Sequence, residues 1–583
     1  MNPFIKFLSR HWDLIIVIIS ALIAGWFLFR PGYFSMHDDL QVMRQHQIHQ
    51  CFIDGQIPCR WVPDMGSGYG YPLFNFYSPL PSYVGMLFVY MGFGYIDTVK
   101  ILFLVGLVAS AITMWLLTKS LTRKPYAAVL AAILYTWAPY HAVDIYVRGA
   151  LAESWALLWF PLILWTIWRW TQTLNHHRFI PLIALSISGL LLSHNIMSIW
   201  FAPVIIIWSI TTITIHKHWQ LKPLALLSLA AIWSLGLTAF FVIPAMTEKN
   251  LVHTEILTSD YFNFRYHFAN VNQLFFDRTF EYGGSVWGPD DEMSFQLGWP
   301  HWILVVATGI FWLWITIKKR WRSSLILGIF LFIYGASVAM THSKTIFIWE
   351  AIPLLHYTQF PWRVLALSIF SGSLAVGLAV DQFSSRIQVF ALTAISIVTI
   401  GLNFNYFQPS GYLPNLTDND KLSGESWDQQ RRGAMLDFLP QTVQTYDVTL
   451  PESPVIIDPE LGRYENFIRR SDNFSVDVFL FSSEPTTVSF AVYDFPIWQL
   501  VDWLTNTELP VTHDNDFGLI TIELQGEGKH IIQGWFRNTP IRKIGNTITL
   551  LSLASLVIWY YTPAYIYKKE AHHPDEASTS EGS

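Results

Sequence analysis

Charge and sulfur are both scarce in this sequence. Of 583 residues only 13 % are Asp, Glu, Lys or Arg, and only two are cysteine. So little charge cannot solvate the surface of several soluble domains. The 52 % hydrophobic and 16 % aromatic content, gathered in repeated apolar runs, describes a polytopic α-helical membrane protein instead. No small-residue cleavage site follows the first run, "WDLIIVIISALIAGWFLF" (12–29), so it reads as a retained span behind Lys6 and Arg10 rather than a signal peptide. No HExxH or Cys-pair motif supports zinc. Gly66, Gly68 and Gly70 have no strand-turn-helix context, which excludes a nucleotide-phosphate loop and counts against a nucleotide-linked donor. There is no internal repeat. The net charge of −6 says little about partners; the placement of the 36 Lys and Arg says more.

Apolar segments lie at 12–29, 99–118, 125–141, 152–168, 179–193, 196–215, 221–244, 299–317, 323–340, 362–380, 387–403 and 544–562, giving about twelve expected transmembrane helices. Alternating sides from a cytoplasmic N-terminus puts "KSLTRK" (119–124), "RWTQTLNHHR" (169–178), "HKHWQLK" (216–222), "KKRWR" (318–322), Arg386 and Lys568 with Lys569 all inside. That is the positive-inside pattern. "PLPSYVGMLFVYMGFGYI" (79–96) reads as a helix lying in or dipping into the outer interface, because one more span there would send 119–124 outside.

The expected organisation is a transmembrane domain over 1–403, with large outer loops at 30–98 and 245–298, followed by an extracytoplasmic β-rich domain over 404–543. A last transmembrane helix at 544–563 and a disordered, acidic cytoplasmic tail at 564–583 complete it. The β-rich region is polar, and alternating segments such as "TTVSFAVYDF" (486–495) and "GLITIEL" (518–524) read as strands of an antiparallel β-sandwich. Cys51 and Cys59 both fall in the first outer loop, where oxidation is permitted. A disulfide and two separate thiols stay equally open, since spacing does not give the geometry a bridge needs.

With sides assigned, the unusual polar groups collect on the outer face. "MHDDLQ" (36–41) supplies His37, Asp38 and Asp39, with Arg60 further along the same loop. The 142–153 stretch adds Asp144, Arg148 and Glu153, "LLSHNIMS" (191–198) adds His194 and Asn195, and "HYTQFPWRVL" (356–365) adds His356, Gln359 and Arg363. Each alone fits a solvated span end, because a charge near the interface costs less than the ~2.5–3.5 kcal/mol of the bilayer centre. Adjacent carboxylates are harder to explain that way: they repel, and in extended backbone they point to opposite sides, so at most one faces a common cavity. On this reading Asp38 is a general base for a hydroxyl acceptor, and Asp39 caps a helix expected over 39–55. A competing reading makes Asp38, Asp39 and Glu153, with His37, an oxygen-rich site for Mg2+ or Mn2+. The forks of Arg148 and Arg363 suit a lipid-linked phosphate, or interface anchoring and pairing with Glu153. The aromatics of "GSGYGYPLFNFYSPLPSY" (66–83) suit an interfacial belt or the rim of a sugar site.

The stretch "MHDDLQVMRQHQIHQCFIDGQIPCRWVPDMGSGYGYPLFNFYSPLPSY" (36–83), with "APYHAVDIYVRGALAE" (138–153) and "HYTQFPWR" (356–363), resembles the bacterial membrane proteins labelled 6-pyruvoyl-tetrahydropterin-synthase-related. No residue here suggests pterin chemistry. That family is similar to the GT-C glycosyltransferase superfamily, and the resemblance covers roughly residues 1–410 in order. It implies a GT-C-like fold with a C-terminal β-domain, and transfer of a sugar from a polyprenyl-phosphate donor on the outer face. The first-loop acid of GT-C enzymes acts as catalytic base and matches Asp38; the second acid matches Glu153 in "RGALAE". Where one acid would suffice this chain has "HDD". The resulting expectation is a plasma-membrane glycosyltransferase, with Asp38 and Glu153 catalytic and His37, Asp39, Arg60, Arg148, His194 and Arg363 binding substrate. Its partners would be the lipid-linked donor, membrane lipids and a glycan, lipid or protein acceptor, with no nucleic acid; no cofactor is certain, and Mg2+ or Mn2+ is the candidate. The alternatives are a non-enzymatic binder or translocator of lipid-linked glycans, and a cell-envelope scaffold.

Overall fold

A computed structural model describes residues 3–174, 178–286, 291–433, 438–445 and 449–561. The expected tail at 564–583 and part of the basic loop at 169–178 lie outside the described residues. The chain is a polytopic helical membrane protein carrying a C-terminal β-domain. In chain order the principal helices are α1 (Pro3–Ala24), α2 (Gln41–Asp54), α3 (Leu80–Tyr90), α4 (Tyr95–Leu121), α5 (Pro125–Thr136), α6 (Leu151–Thr173), α7 (Phe179–Ser193) and α8 (Asn195–His216). They continue as α9 (Leu221–Leu237), α10 (Ala239–Thr247), α11 (Trp299–Ile317), α12 (Trp321–Met340), α13 (Leu365–Val380), α14 (Ser385–Asn403) and α15 (Pro540–Tyr561).

Every expected apolar segment is built around a helix, but the number able to cross is lower than twelve. Among the described residues eight helices are long and apolar enough, and α9 with α10 makes a ninth only if a pair bent by 75° counts as one span. The first expected span, 12–29, is not among them: α1 is kinked at His11 and ends at Ala24, and Trp26–Phe29 is a 3-10 turn. For the others the physical reason is length or a break. At 1.5 Å per residue α5, with 12 residues, and α7, with 15, rise about 18 and 22 Å against ~30 Å of hydrocarbon. The expected single span at 221–244 breaks at Thr238, whose hydroxyl donates back to the Ser234 carbonyl (2.9 Å), a local competitor of the helix ladder. The expected outer helix at 79–96 is α3, at 11 residues too short to cross.

The most buried spans are α6 and the one that ends in α13; α6 packs along α4, and α13 against α12 and α5. At one end of this bundle the first loop folds onto the β-domain. Strand β1 (Tyr33–Phe34) pairs antiparallel with β2 (Tyr412–Leu413), just beyond α14. The domain then adds β3 (Val455–Ile456), β4 (Gly462–Arg469), β5 (Asn473–Leu480), β6 (Thr486–Tyr493), β7 (Trp498–Asp502), β8 (Thr507–Leu509), β9 (Leu519–Leu524) and β10 (Gly528–Phe536). They form a five-stranded sheet, β4-β5-β10-β7-β8, and a three-stranded sheet, β3-β6-β9, antiparallel throughout. Buried and part-exposed residues alternate along β5, so its inner face enters a core between the sheets.

That core extends into the first loop. Trp61 packs on Trp498 and Phe536, and Leu40, Met43 and Tyr71 belong to the same buried cluster as Val476 and Phe490. The Gly66–Gly70 turn has left-handed φ at Gly66, Gly68 and Gly70 (+61°, +84°, +81°), which only glycine adopts without strain. A Cβ on Gly70 would also strike Trp61 and Arg469, whose guanidinium donates to the carbonyls of Pro63, Gly68 and Tyr69. The glycines are thus explained by docking of the β-domain. Cys51 and Cys59 form a disulfide, which ties the end of α2 to the chain entering this turn.

Candidate active site

The segment carrying the adjacent aspartates leaves β1 in extended form and runs beside the turn before α6. His37 N–H donates to the Val147 carbonyl (3.0 Å) and Asp38 N–H to the Arg148 carbonyl (2.9 Å). The His37 ring bonds the Tyr282 carbonyl (2.8 Å). These backbone bonds fix Asp38 relative to Arg148 and, one turn later, Glu153.

The two aspartates diverge. Asp38 borders the cavity, and its Oδ2 accepts from Arg44 Nη1 (2.6 Å) and Gln41 Nε2 (3.0 Å). Gln41 also donates to the Gly149 carbonyl (2.9 Å), so one amide clamps both segments. Asp38 stays 35 % exposed. Asp39 turns the other way and pairs with Lys421. It is not the cap of α2: the helix starts at Gln41 with Leu40 at the cap position and no side-chain cap bond. The Lys421 ammonium, supplied from beyond α14, draws the Asp39 carboxylate off the helix axis. At the far end Gly55 closes α2 in the left-handed conformation usual for a helix C-terminus (φ +80°).

Arg60 is also absent from the cavity. It is 2 % exposed and donates to Asn75 Oδ1 (2.9 Å), the Phe240 carbonyl (2.9 Å) and Asn546 Oδ1 (2.8 Å). It therefore joins the first loop to α10 and α15.

Around Glu153, in the first turn of α6, the other candidates converge. Its Oε1 accepts from the Tyr140 hydroxyl, and its Oε2 lies 2.9 Å from Arg148 Nη1, 3.5 Å from Arg363 Nε and 3.9 Å from His194 Nε2. Arg148 also pairs with Asp144 and stacks on Trp362 at 4.7 Å. Arg363 donates to Gln359 (2.8 Å) and the Thr358 carbonyl (3.0 Å). Burial works against the Arg148 charge, but the Glu153 carboxylate outweighs it and holds the guanidinium ionised. Burial, then the Glu153 charge, pushes the Asp144 carboxyl well above the usual carboxylate range. Burial takes His194 down to about 4, so its ring is neutral near pH 7. Its Nδ1 accepts the Met197 N–H (3.1 Å), which places the ring proton on Nε2, facing Glu153.

These groups line a cavity of ≈ 590 Å³, within the ~300–1,000 Å³ usual for small-molecule sites. His37, Asp38, Arg148, Glu153, His194 and Arg363 all reach it; Asp39 and Arg60 do not. The rest of the wall is largely apolar and aromatic, including Phe76, Ile199, Phe262, Phe360 and Phe438. Such a space suits a ligand with one anionic group and an apolar remainder. His356 bonds the Trp349 carbonyl (3.0 Å) and is not in its lining.

The three carboxylates weighed as metal ligands are not brought together, and among the described residues no group of three or more His, Cys, Asp or Glu is placed to hold a metal. Asp38, Asp39 and Glu153 each face a basic side chain instead. Each of these carboxylates is thus already balanced by a cationic neighbour.

Arg44, Gln41 and Tyr77 were missed from the sequence. Gln41 and Arg44 are three residues apart at the start of α2, so they share the face next to Asp38, a spacing that was available to read. Tyr77 lies in the aromatic stretch 66–83, which did not single it out: its ring meets Arg44 at 4.5 Å through the tertiary fold.

No protein-family model matches the chain. It is similar to an uncharacterized protein of Lactococcus lactis subsp. cremoris (strain MG1363), 23 % identical over 266 residues, 44 % of this chain and 43 % of that one. The chain thus spans less than half the length of the curated relative it matches. Among solved structures it is similar to the arabinofuranosyltransferase AftD from Mycobacteria (TM-score 0.45, 14 % identity, 70 % of this chain and 28 % of that one). It is also similar to the Archaeoglobus fulgidus oligosaccharyltransferase in its apo form (TM-score 0.41, 14 % identity, 74 % of this chain and 60 % of that one). At that distance no residue correspondence follows.

Proposed function

We propose that the chain is an integral-membrane glycosyltransferase of GT-C type, which moves a sugar from a polyprenyl-phosphate donor to an envelope glycan, lipid or protein on the outer face. The observation that carries this reading is one cavity in which a carboxylate, Asp38, stands across from two guanidinium groups, Arg148 and Arg363, beside an apolar wall. The resemblance of the first-loop sequence agrees with it.

An acceptor oxygen attacks the anomeric carbon while the bond from that carbon to the phosphate oxygen breaks, inverting the centre. The acceptor proton passes to Asp38; its Oδ2 is engaged by Arg44 and Gln41, which assigns the transfer to Oδ1. The phosphate leaves with its polyprenyl chain, its added charge met by Arg148 and Arg363. Glu153 holds both arginines, and neutral His194 offers its Nε2–H to the acceptor. The termini are then cytoplasmic and the cavity extracytoplasmic.

The test is transfer of labelled sugar from synthetic polyprenyl-phosphate donors, hexosyl and pentosyl, by the purified full-length protein in lipid nanodiscs. Transfer lost in Asp38→Asn and kept in Asp39→Asn supports the reading; equal transfer by wild type and Asp38→Asn sinks it. Tight donor binding without transfer would favour a binder or translocator instead.

A further inference from the structure

The carboxylates that a divalent cation would need are each already met by a basic side chain. Asp38 is held by Arg44 at 2.6 Å, Asp39 is held by Lys421, and Glu153 is held by Arg148 at 2.9 Å with Arg363 at 3.5 Å. A hard divalent cation takes about six or more oxygen ligands at roughly 2.0–2.6 Å. To bind here it would have to displace a guanidinium from a buried pair and leave that charge stranded.

We infer that Arg44 stands where a divalent cation would stand beside Asp38: it is a built-in positive charge that orients the carboxylate, and the cavity works without Mg2+ or Mn2+. Its catalytic consequence rests on the glycosyl-transfer reading; its charge balance does not.

The geometry around Arg44 fits that role. The residue lies in the first turn of α2 and is 5 % exposed. Its Nη1 reaches Asp38 Oδ2, and its guanidinium lies against the Tyr77 ring (4.5 Å) with the Tyr77 hydroxyl accepting from the same Nη1 (3.3 Å). Burial opposes its charge, but Asp38 outweighs burial and keeps it ionised. A guanidinium does not lose its proton in proteins, so this charge is permanent where a bound metal would depend on supply. Because Arg44 and Gln41 both engage Oδ2, the rotamer of Asp38 is fixed with its other oxygen left for the acceptor. Arg44 is thus a positioning residue that acts through Asp38.

Two measurements test this. The first uses no sugar: Mn2+ is titrated into the purified wild-type protein and its Asp38→Asn variant after chelation, and the free-ion signal is read by electron paramagnetic resonance. The expected result is no stoichiometric Mn2+ site. One Mn2+ bound per chain, and lost in Asp38→Asn, overturns the inference. The second compares Arg44→Gln with Arg44→Lys in the transfer assay. Arg44→Gln should lower kcat about tenfold or more with donor KM little changed, and Arg44→Lys should recover part of the loss, because it restores the charge without the fork. Wild-type transfer should survive EDTA. Transfer abolished by EDTA and restored by Mg2+ overturns the inference, and so does a wild-type kcat in Arg44→Gln. If wild type transfers no sugar at all, the functional reading falls while the Mn2+ titration still decides this one.

Discussion

Two buried carboxylates near the same end of the helical bundle, Glu153 and Glu248, have nearly the same inventory and different surroundings. Glu248, 5 % exposed, accepts from Thr539 (2.7 Å), Asn75 (2.9 Å) and Arg542 (2.9 Å). Asn75 in turn receives Arg60, so the cluster locks the first loop to α10 and to the entrance of α15, and it is outside the lining of the Glu153 cavity. Glu153, 1 % exposed, also sits among arginines, but it forms part of a cavity wall together with Arg148 and Arg363. Burial and ion pairing are therefore common to a fastening and to a site. What separates them is whether the charges face protein or an open space.

The sharpest way to break that comparison is chemical. Asp38→Asn should lower transfer per folded molecule by about 10²–10⁴-fold, the range for removing a general base, while donor affinity holds, and any fall in melting temperature from the loss of Arg44's partner charge does not account for the rate. Steady-state kinetics and a thermal melt on the same preparation check both halves. Glu248→Gln should do the reverse. Leaving Arg542 buried without its partner costs about 3–5 kcal/mol, so the protein melts earlier, yet the molecules that stay folded transfer at the wild-type rate. A rate loss in Glu248→Gln beyond its loss of folded protein would erase the distinction between the two clusters.

A smaller effect is expected at Arg363. Arg363→Gln removes one charged donor from the proposed phosphate contact, worth about 1.5–3 kcal/mol, so donor KM should rise roughly 10–150-fold with less change in kcat. Donor titration at saturating acceptor reads this directly. An unchanged KM would mean that Arg363 serves only Glu153 and Gln359, and the site would move closer in kind to the Glu248 cluster.

Much of this division was legible before any coordinates. Apolar runs located the helical segments, and the alternation in 486–495 and 518–524 located β6 and β9, because both follow from local periodicity. The span count was not legible: α5, α7 and the break at Thr238 depend on where each helix stops within an apolar run, which hydropathy does not mark. Six of the eight residues named as candidates share one cavity, since charge near the ends of apolar spans is rare enough to be informative. Arg60 escaped the same logic because its partners, Phe240 and Asn546, are 180 and 486 residues away. Asp39 escaped because Lys421 comes from beyond α14, and no local rule could weigh that ammonium against a helix cap.

The smallest expected effect sharpens the comparison most finely, because it is made between neighbours. Asp39 is 43 % exposed, and an ion pair in contact with solvent contributes only about 0–1 kcal/mol. Asp39→Asn keeps a similar shape and can still accept from Lys421, so its melting temperature should shift little. Lys421→Met should shift it somewhat more, because Lys421 is itself buried (7 % exposed) against Tyr33, beside the β1–β2 pairing. In both variants transfer should stay near wild type, since β1 and the bonds from His37 and Asp38 to Val147 and Arg148 hold the reactive segment without that pair. A transfer loss in Asp39→Asn comparable to that of Asp38→Asn would mean that the two carboxylates act as one unit, with the Lys421 pair opening during turnover to let Asp39 in.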